Sequence, residues 1–165
     1  MNLYDKIDPG KRRHSWGGAV FLAFCCAVIL LCIGAIIWAG HYHQRYRKFS
    51  TDFAASVENA GKLGAELTLD GETSVLAPEA SSRLCRLICG AGAGKVQPDS
   101  PQDTPITVRY KSGSTLELWQ VDIPEETAEN PVGVFVRYTF ADGTVYQYDT
   151  DQLQMSEIRL ALGHP

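Results

Sequence analysis

Histidine is scarce in this chain and nearly missing from its C-terminal part. The sequence has four histidines, and after His43 only His164 remains. It stands beside the C-terminal Pro165, where a chain end is usually mobile. A Ser/His/Asp or Cys/His catalytic set needs a positioned base, so the sequence predicts neither and favours a protein that is not an enzyme.

Cysteine is also sparse outside one apolar segment, which holds Cys25, Cys26 and Cys32 and leaves only Cys85 and Cys89. The three intervening residues depart from the redox Cys-x-x-Cys spacing, and a zinc site needs two further ligands that the sequence does not place nearby. Three interpretations of the Cys85 and Cys89 pair stay open. They are structural half-buried thiols, a disulfide in an oxidising compartment, or a redox or metal-binding role.

Cofactor motifs are missing too. The segment Gly90–Lys95 faintly resembles a phosphate loop, but the earlier glycine of that motif is replaced by Cys89 and its Ser or Thr by Val96. Two acidic groups lack the alternate spacing of a calcium loop. They are Glu125, Glu126 and Glu129, and Asp142, Asp149 and Asp151. The sequence therefore predicts no metal and no cofactor.

Basic residues are few in the C-terminal part of the chain. Residues 65–165 contain seven Lys or Arg against fifteen Asp or Glu, whereas residues 1–64 contain eight against four. Nucleic-acid affinity rests largely on neutralising phosphates with Lys and Arg. No nucleic-acid binding is predicted for the acidic part.

One long apolar segment is present, from Gly17 to Ala39, and it contains no charged residue. At ~1.5 Å per residue it spans the roughly 30 Å hydrocarbon core of a bilayer. Trp16 and Trp38 stand at its two ends, as expected of an aromatic belt. It is longer than a signal-peptide core and has no small-x-small cleavage site. We expect an uncleaved single-pass signal anchor in the lipid bilayer, preceded by a short basic tail at residues 1–16.

The orientation is predicted from the flanking charges. Four basic side chains precede the span and three follow it: Lys6, Lys11, Arg12, Arg13, and then Arg45, Arg47, Lys48. The free N-terminal amine adds to the first group. By the positive-inside rule, we expect a cytoplasmic N-terminus and an extracytoplasmic domain.

Small residues recur inside the span at a spacing of four, interrupted only by Leu31. They are Ala19, Ala23, Ala27, Ala35 and Ala39. Such spacing allows helices to approach closely in lipid. It predicts a helix–helix interface, either with a membrane protein partner or by self-association.

The remaining residues predict a helix followed by a small domain. Aromatic and apolar residues at steps of three and four predict an amphipathic juxtamembrane stalk over residues 40–64. An acidic α+β domain is expected over residues 65–165. Its predicted elements are strands Ala65–Leu69 and Thr73–Leu76, a helix Pro78–Cys89, strands Ile106–Lys111, Thr115–Ile123, Gly133–Phe140 and Thr144–Asp149, and a last helix capped by Thr150 or Asp151.

The order of these elements, ββα, then ββββ, then α, predicts the fold class. Short turns favour antiparallel hairpins, and a parallel sheet would alternate strands with crossover helices. We therefore expect an antiparallel sheet with helices packed on one face. Its aromatic residues are expected to form core and cross-strand pairs, with an exposed binding face as the alternative.

Three functional hypotheses follow from these patterns. The first is a membrane-anchored, non-enzymatic interaction or sensing domain that binds another protein. The alternative is a thiol-dependent redox or metal-handling membrane protein that uses Cys85 and Cys89. A hydrolase with an unrecognised site ranks last.

Overall fold

The structure, a computed structural model, describes residues 16–92, 105–122 and 132–163. The expectations for residues 1–15, 93–95, Glu125, Glu126, Glu129 and His164 lie outside these ranges. The described residues form three helices and six strands. They are α1 (Trp16–Leu63), β1 (Ala65–Leu69), β2 (Glu72–Val75), α2 (Pro78–Ala91), β3 (Ile106–Tyr110), β4 (Thr115–Asp122), β5 (Val132–Thr139), β6 (Val145–Thr150) and α3 (Met155–Leu162).

The chain divides into two compact units, Met1–Tyr42 and His43–Pro165, and α1 contributes to both. In the first unit the helix is apolar and exposed at nearly every residue from Gly17 to Ala39, with Leu31 and Trp38 each 74% exposed. Its most apolar window has a mean hydropathy of 3.1. By length and composition this helix is apolar enough to cross a membrane, which is consistent with a single-pass protein.

The second unit contains a six-stranded antiparallel sheet of order β2-β1-β3-β4-β5-β6. The predicted α+β class and the predicted element order are confirmed. After the first hairpin, β3 pairs with β1 and leaves β2 at the edge. The reason is visible in the burial of the two strands: alternate residues of β1 are buried, whereas all four residues of β2 are exposed.

One face of the sheet carries the core, and the helices pack on that face. Cross-strand neighbours Leu67, Val108, Leu116 and Tyr138 are each at most 2% exposed. They share one hydrophobic cluster with Phe49 of α1 and with residues of the other two helices. Those residues are Leu84 and Ile88 of α2 and Ile158 and Leu162 of α3.

The second half of α1 belongs to this core. Phe49 and Phe53 are fully buried, and Ala60 is 5% exposed. The ring of Phe49 lies 5.1 Å from that of Tyr146 and 5.3 Å from that of Tyr138. The predicted boundary between stalk and domain lies at Gly64, whereas the compact unit begins at His43, because the aromatic face of the stalk helix packs on the sheet.

The last helix starts later than its predicted caps. Thr150 is the last residue of β6, and the buried Leu153 follows before α3 begins at Met155. The Gln154 N–H donates to a Glu157 carboxylate oxygen at 2.9 Å, so a side chain of the first turn satisfies the backbone donor there. The predicted cap at Thr150 or Asp151 was wrong for this reason.

Candidate functional site

Cys85 and Cys89 lie one helical turn apart on α2, at the margin of the core. Both are partly buried and pack against the hydrophobic cluster. Their sulfur atoms are 4.0 Å apart and are not joined by a disulfide. The predicted pair is therefore brought together, as two neighbouring thiols.

The two thiols influence each other. A hydrogen bond between them raises the pKa of Cys85, with burial adding to the effect, and the same hydrogen bond lowers the pKa of Cys89. Cys89 also lies in the last turn of α2, where the helix dipole opposes a negative charge. The Tyr46 hydroxyl donates to the Cys89 carbonyl at 3.0 Å, so α1 satisfies one acceptor at this helix end.

The five alanines of the predicted helix–helix interface all lie on α1 and are exposed within the chain. A step of four residues in a helix of 3.6 residues per turn advances by about 40°. Ala19, Ala23 and Ala27 therefore share one side, whereas Ala39 projects from nearly the opposite side. The helix–helix interface stays a prediction. The helix geometry places its five alanines in two groups, one around Ala23 and one near Ala39 on nearly the opposite side.

A partly buried polar network, which no sequence pattern predicted, joins α1 to the sheet. The Tyr138 hydroxyl donates to Asp52 at 2.7 Å and lies 3.0 Å from the Ser56 hydroxyl oxygen. Because the single phenolic hydrogen goes to Asp52, Ser56 is the donor to Tyr138. Ser56 in turn lies 2.8 Å from the oxygen of Ser114 and accepts from Ser112 at 3.3 Å.

This network is built from three separate parts of the chain: α1, the turn between β3 and β4, and β5. Burial raises the pKa of Tyr138, which stays a neutral donor at physiological pH. In the sequence, Ser56 is one polar residue on an apolar helix face, and that interruption was the available signal. With every member hydrogen-bonded to another, the arrangement positions α1 on the sheet.

Strand β2 forms an exposed edge of the sheet. The Leu76 N–H donates to the Ala65 carbonyl at 2.9 Å, which makes these two residues a hydrogen-bonded pair. Antiparallel strands alternate such pairs with non-hydrogen-bonded pairs, and Val75 opposite Glu66 is the next position. The backbone groups of Val75 and of Thr73 therefore point away from β1, and the Val75 side chain is 83% exposed.

The aromatic residues of the sheet are buried. Tyr138 and Tyr148 are fully buried, and Phe135 is 1% exposed. The core interpretation of the sheet aromatics is confirmed, and the alternative of an exposed aromatic face was wrong. On the outer face the Arg137 guanidinium lies 4.8 Å from the Trp119 ring centroid and bridges to Glu117 at 3.7 Å.

An open depression of about 630 Å³ lies along α1. It is lined by Gln44, Arg47, Lys48, Thr51, Asp52 and Ala55. All six belong to the same helix, so the depression follows a helix surface and gathers no groups from other elements. Within the described residues there is no group of three or more His, Cys, Asp or Glu side chains that could hold a metal ion.

No family model, curated protein or solved structure matches this chain. Function is therefore inferred from the residues themselves. Among the described residues, the candidates for a functional site are the exposed β2 edge and the thiol pair on α2.

Proposed function

We propose that this chain is a membrane-anchored, non-enzymatic interaction domain that binds another protein through the edge of its sheet. The exposed β2 edge is the observation that carries the proposal. All four residues of this strand are exposed, and every second backbone group points outward. Such an edge accepts an extended segment of a partner as an additional strand.

The two edges of the sheet differ in what they offer a partner. Natural edge strands are commonly protected by Pro, Lys, bulges or inward charges, and β2 has Glu72 beside its turn as its only charge. At the opposite edge, β6 buries Tyr146 and Tyr148 in the core and carries Asp149. The β2 edge is thus the more accessible template.

The anchor places this domain at a bilayer. Residues 17–39 form the span, with the N-terminus cytoplasmic and the domain on the opposite side, as the flanking charges favour. The domain carries a formal charge of −8 over residues 65–165, which holds it off an anionic lipid surface. The partner is then a membrane or surface protein on that side.

The test places a photo-crosslinking amino acid at Thr73 of the full-length chain in cells. We expect an adduct with one protein, and we expect Val75→Lys to lower the adduct yield by about tenfold, because a lysine on the edge disfavours strand addition. The matched control is Val145→Lys at the opposite edge, where Val145 is 44% exposed. This control should leave the yield unchanged.

Two outcomes would contradict the proposal. One is the absence of any adduct from Thr73 in cells that express the folded protein. The other is an adduct whose yield falls equally with Val75→Lys and Val145→Lys, since such a loss would not depend on the β2 edge.

A further inference from the structure

Beyond partner binding, we propose that Cys85 and Cys89 form a two-thiolate binding site for a soft monovalent cation, Cu(I). The two sulfur atoms lie 4.0 Å apart on one side of α2. An ion placed about 2.3 Å from each of them, a typical metal–thiolate distance, makes a sulfur–metal–sulfur angle of about 120°. That angle is the one required for trigonal coordination.

The donor set selects the ion. Thiolates are soft ligands that favour Cu(I), zinc and iron–sulfur clusters over the hard cations that bind oxygen. A structural zinc site takes four protein ligands, whereas the described residues around this pair supply no group of three. Cu(I) is stable with two or three sulfur ligands, so the pair fills two positions and an external thiol can take the third.

The site is held in place by its surroundings. Cys85 and Cys89 pack against the hydrophobic cluster on one side and are partly exposed on the other. The Tyr46 hydroxyl is bonded to the Cys89 carbonyl, and the Arg83 guanidinium donates to the Ala161 carbonyl at 3.0 Å. These contacts fix α2 against α1 and α3, so binding does not have to order the helix.

The binding of Cu(I) by the two thiols is balanced in charge and in protons. Cu(I) displaces both thiol protons and leaves a bis-thiolate complex with a net charge of −1. Helix α2 carries Arg83 and Arg86 against Glu79 as its only acid, and this excess of positive charge offsets the helix dipole, which opposes a negative charge at Cys89. Because copper enters and stays as Cu(I), no electron transfer is needed.

The experiment uses the full-length chain in detergent with Cys25, Cys26 and Cys32 replaced by alanine. The protein is reduced with dithiothreitol, freed of the reagent by gel filtration, and checked for two free thiols per chain. Cu(I), kept reduced by ascorbate, is then titrated against the chromophoric chelator bicinchoninate. We expect one Cu(I) per chain, and a copper absorption spectrum with sulfur neighbours at about 2.3 Å.

Two variants separate a built site from ordinary thiol binding. Cys89→Ser removes one donor and should weaken binding by roughly 100-fold, because the second sulfur acts at high effective concentration. The double variant Glu79→Cys with Cys85→Ser keeps two thiols on α2, but ten residues apart. It should bind as weakly as Cys89→Ser, with circular dichroism confirming that both variants are folded.

Equal affinity in the parent protein and in the double variant would overturn the inference, since it would show that any two thiols suffice. A stoichiometry of one Cu(I) per two chains would do the same, because the ion would then bridge molecules.

Discussion

At the level of single residues, Tyr138 connects strand β5 to helix α1 in two ways. Its ring contacts Phe49 and Phe53 of α1, and its hydroxyl joins Asp52 and Ser56. The side chain is fully buried. One tyrosine thus supplies both apolar packing and a polar anchor between α1 and the sheet, and the two contributions are separable by mutation.

Replacing Tyr138 with Phe keeps the ring and removes the hydroxyl. Asp52 then loses a 2.7 Å hydrogen bond and Ser56 loses its acceptor. We expect a loss of about 0.5–1.5 kcal/mol in the free energy of unfolding, the usual net contribution of a hydrogen bond. Thermal unfolding of the full-length chain in detergent checks this value. Ser50→Ala, which removes an exposed hydroxyl bonded to Arg47, is the control and should change little.

Alkaline pH tests the same residue in another way. Burial raises the pKa of Tyr138 and of Tyr110 above the usual value of 10. Above pH 10 the unfolded state therefore binds fewer protons than the folded state, and stability falls as the pH rises. Well below pH 10 both tyrosines are protonated in the folded and the unfolded state, so they add no pH dependence there. Unfolding measured from pH 8 to 11 should show this fall, and Tyr138→Phe should reduce its slope. An unchanged slope would contradict the assignment.

At the scale of elements, two turns with the same geometry lie side by side. In each, a glycine N–H donates to a carbonyl three residues earlier at 2.9 Å: Gly113 to Tyr110, and Gly143 to Phe140. Both glycines have positive φ values, of 102° and 84°. They differ in space, because a Cβ on Gly113 would lie 3.1 Å from the Cβ of Ala141, whereas nothing lies within 4 Å at Gly143.

This pair of turns separates backbone strain from crowding. Gly143→Ala should cost about 1–2 kcal/mol in unfolding free energy through its left-handed backbone alone. Gly113→Ala should cost at least about 1 kcal/mol more, because the added methyl group presses on Ala141. Thermal unfolding of the two variants in parallel gives the difference. Equal losses of unfolding free energy in the two variants would show that the turn moves enough to accommodate the methyl group at no cost.

At the scale of the whole molecule, orientation across the bilayer decides what the domain meets. We expect residues 65–165 to lie outside the cytoplasm. The measurement is labelling by a membrane-impermeant maleimide in intact cells, in a chain whose five native cysteines are replaced. A cysteine introduced at the exposed Glu72 should react in intact cells.

The matched probe sits at the other end of the chain. Asp5→Cys in the N-terminal tail should react only after the cells are permeabilised. If the two probes exchange these results, the N-terminus is outside, and the partner proposed for the β2 edge is cytoplasmic.

Much of the architecture follows from the sequence alone, because its signals are local. An uncharged stretch such as Gly17–Ala39 is apolar whatever it contacts. Each strand is indicated by apolar and polar residues that alternate between two groups of turn residues. The predicted strand bounds accordingly differ from the observed ones by at most one residue at either end. The Asp70-Gly71 turn was equally predictable, because Asp-Gly favours a hairpin turn with positive φ at both residues. The observed φ values are 51° and 85°.

Which elements meet depends on tertiary packing, which no local sequence pattern contains. No local pattern distinguishes a free stalk from a core helix, and Phe49 and Phe53 become core residues because the sheet buries them. In the same way β1, not β2, pairs with β3.

The contacts among Asp52, Ser56 and Tyr138 join residues far apart in the chain, and the 4.0 Å between the sulfur atoms of Cys85 and Cys89 depends on side-chain rotamers. Sequence periodicity specifies the face of an element, but the partner of that face is chosen by packing.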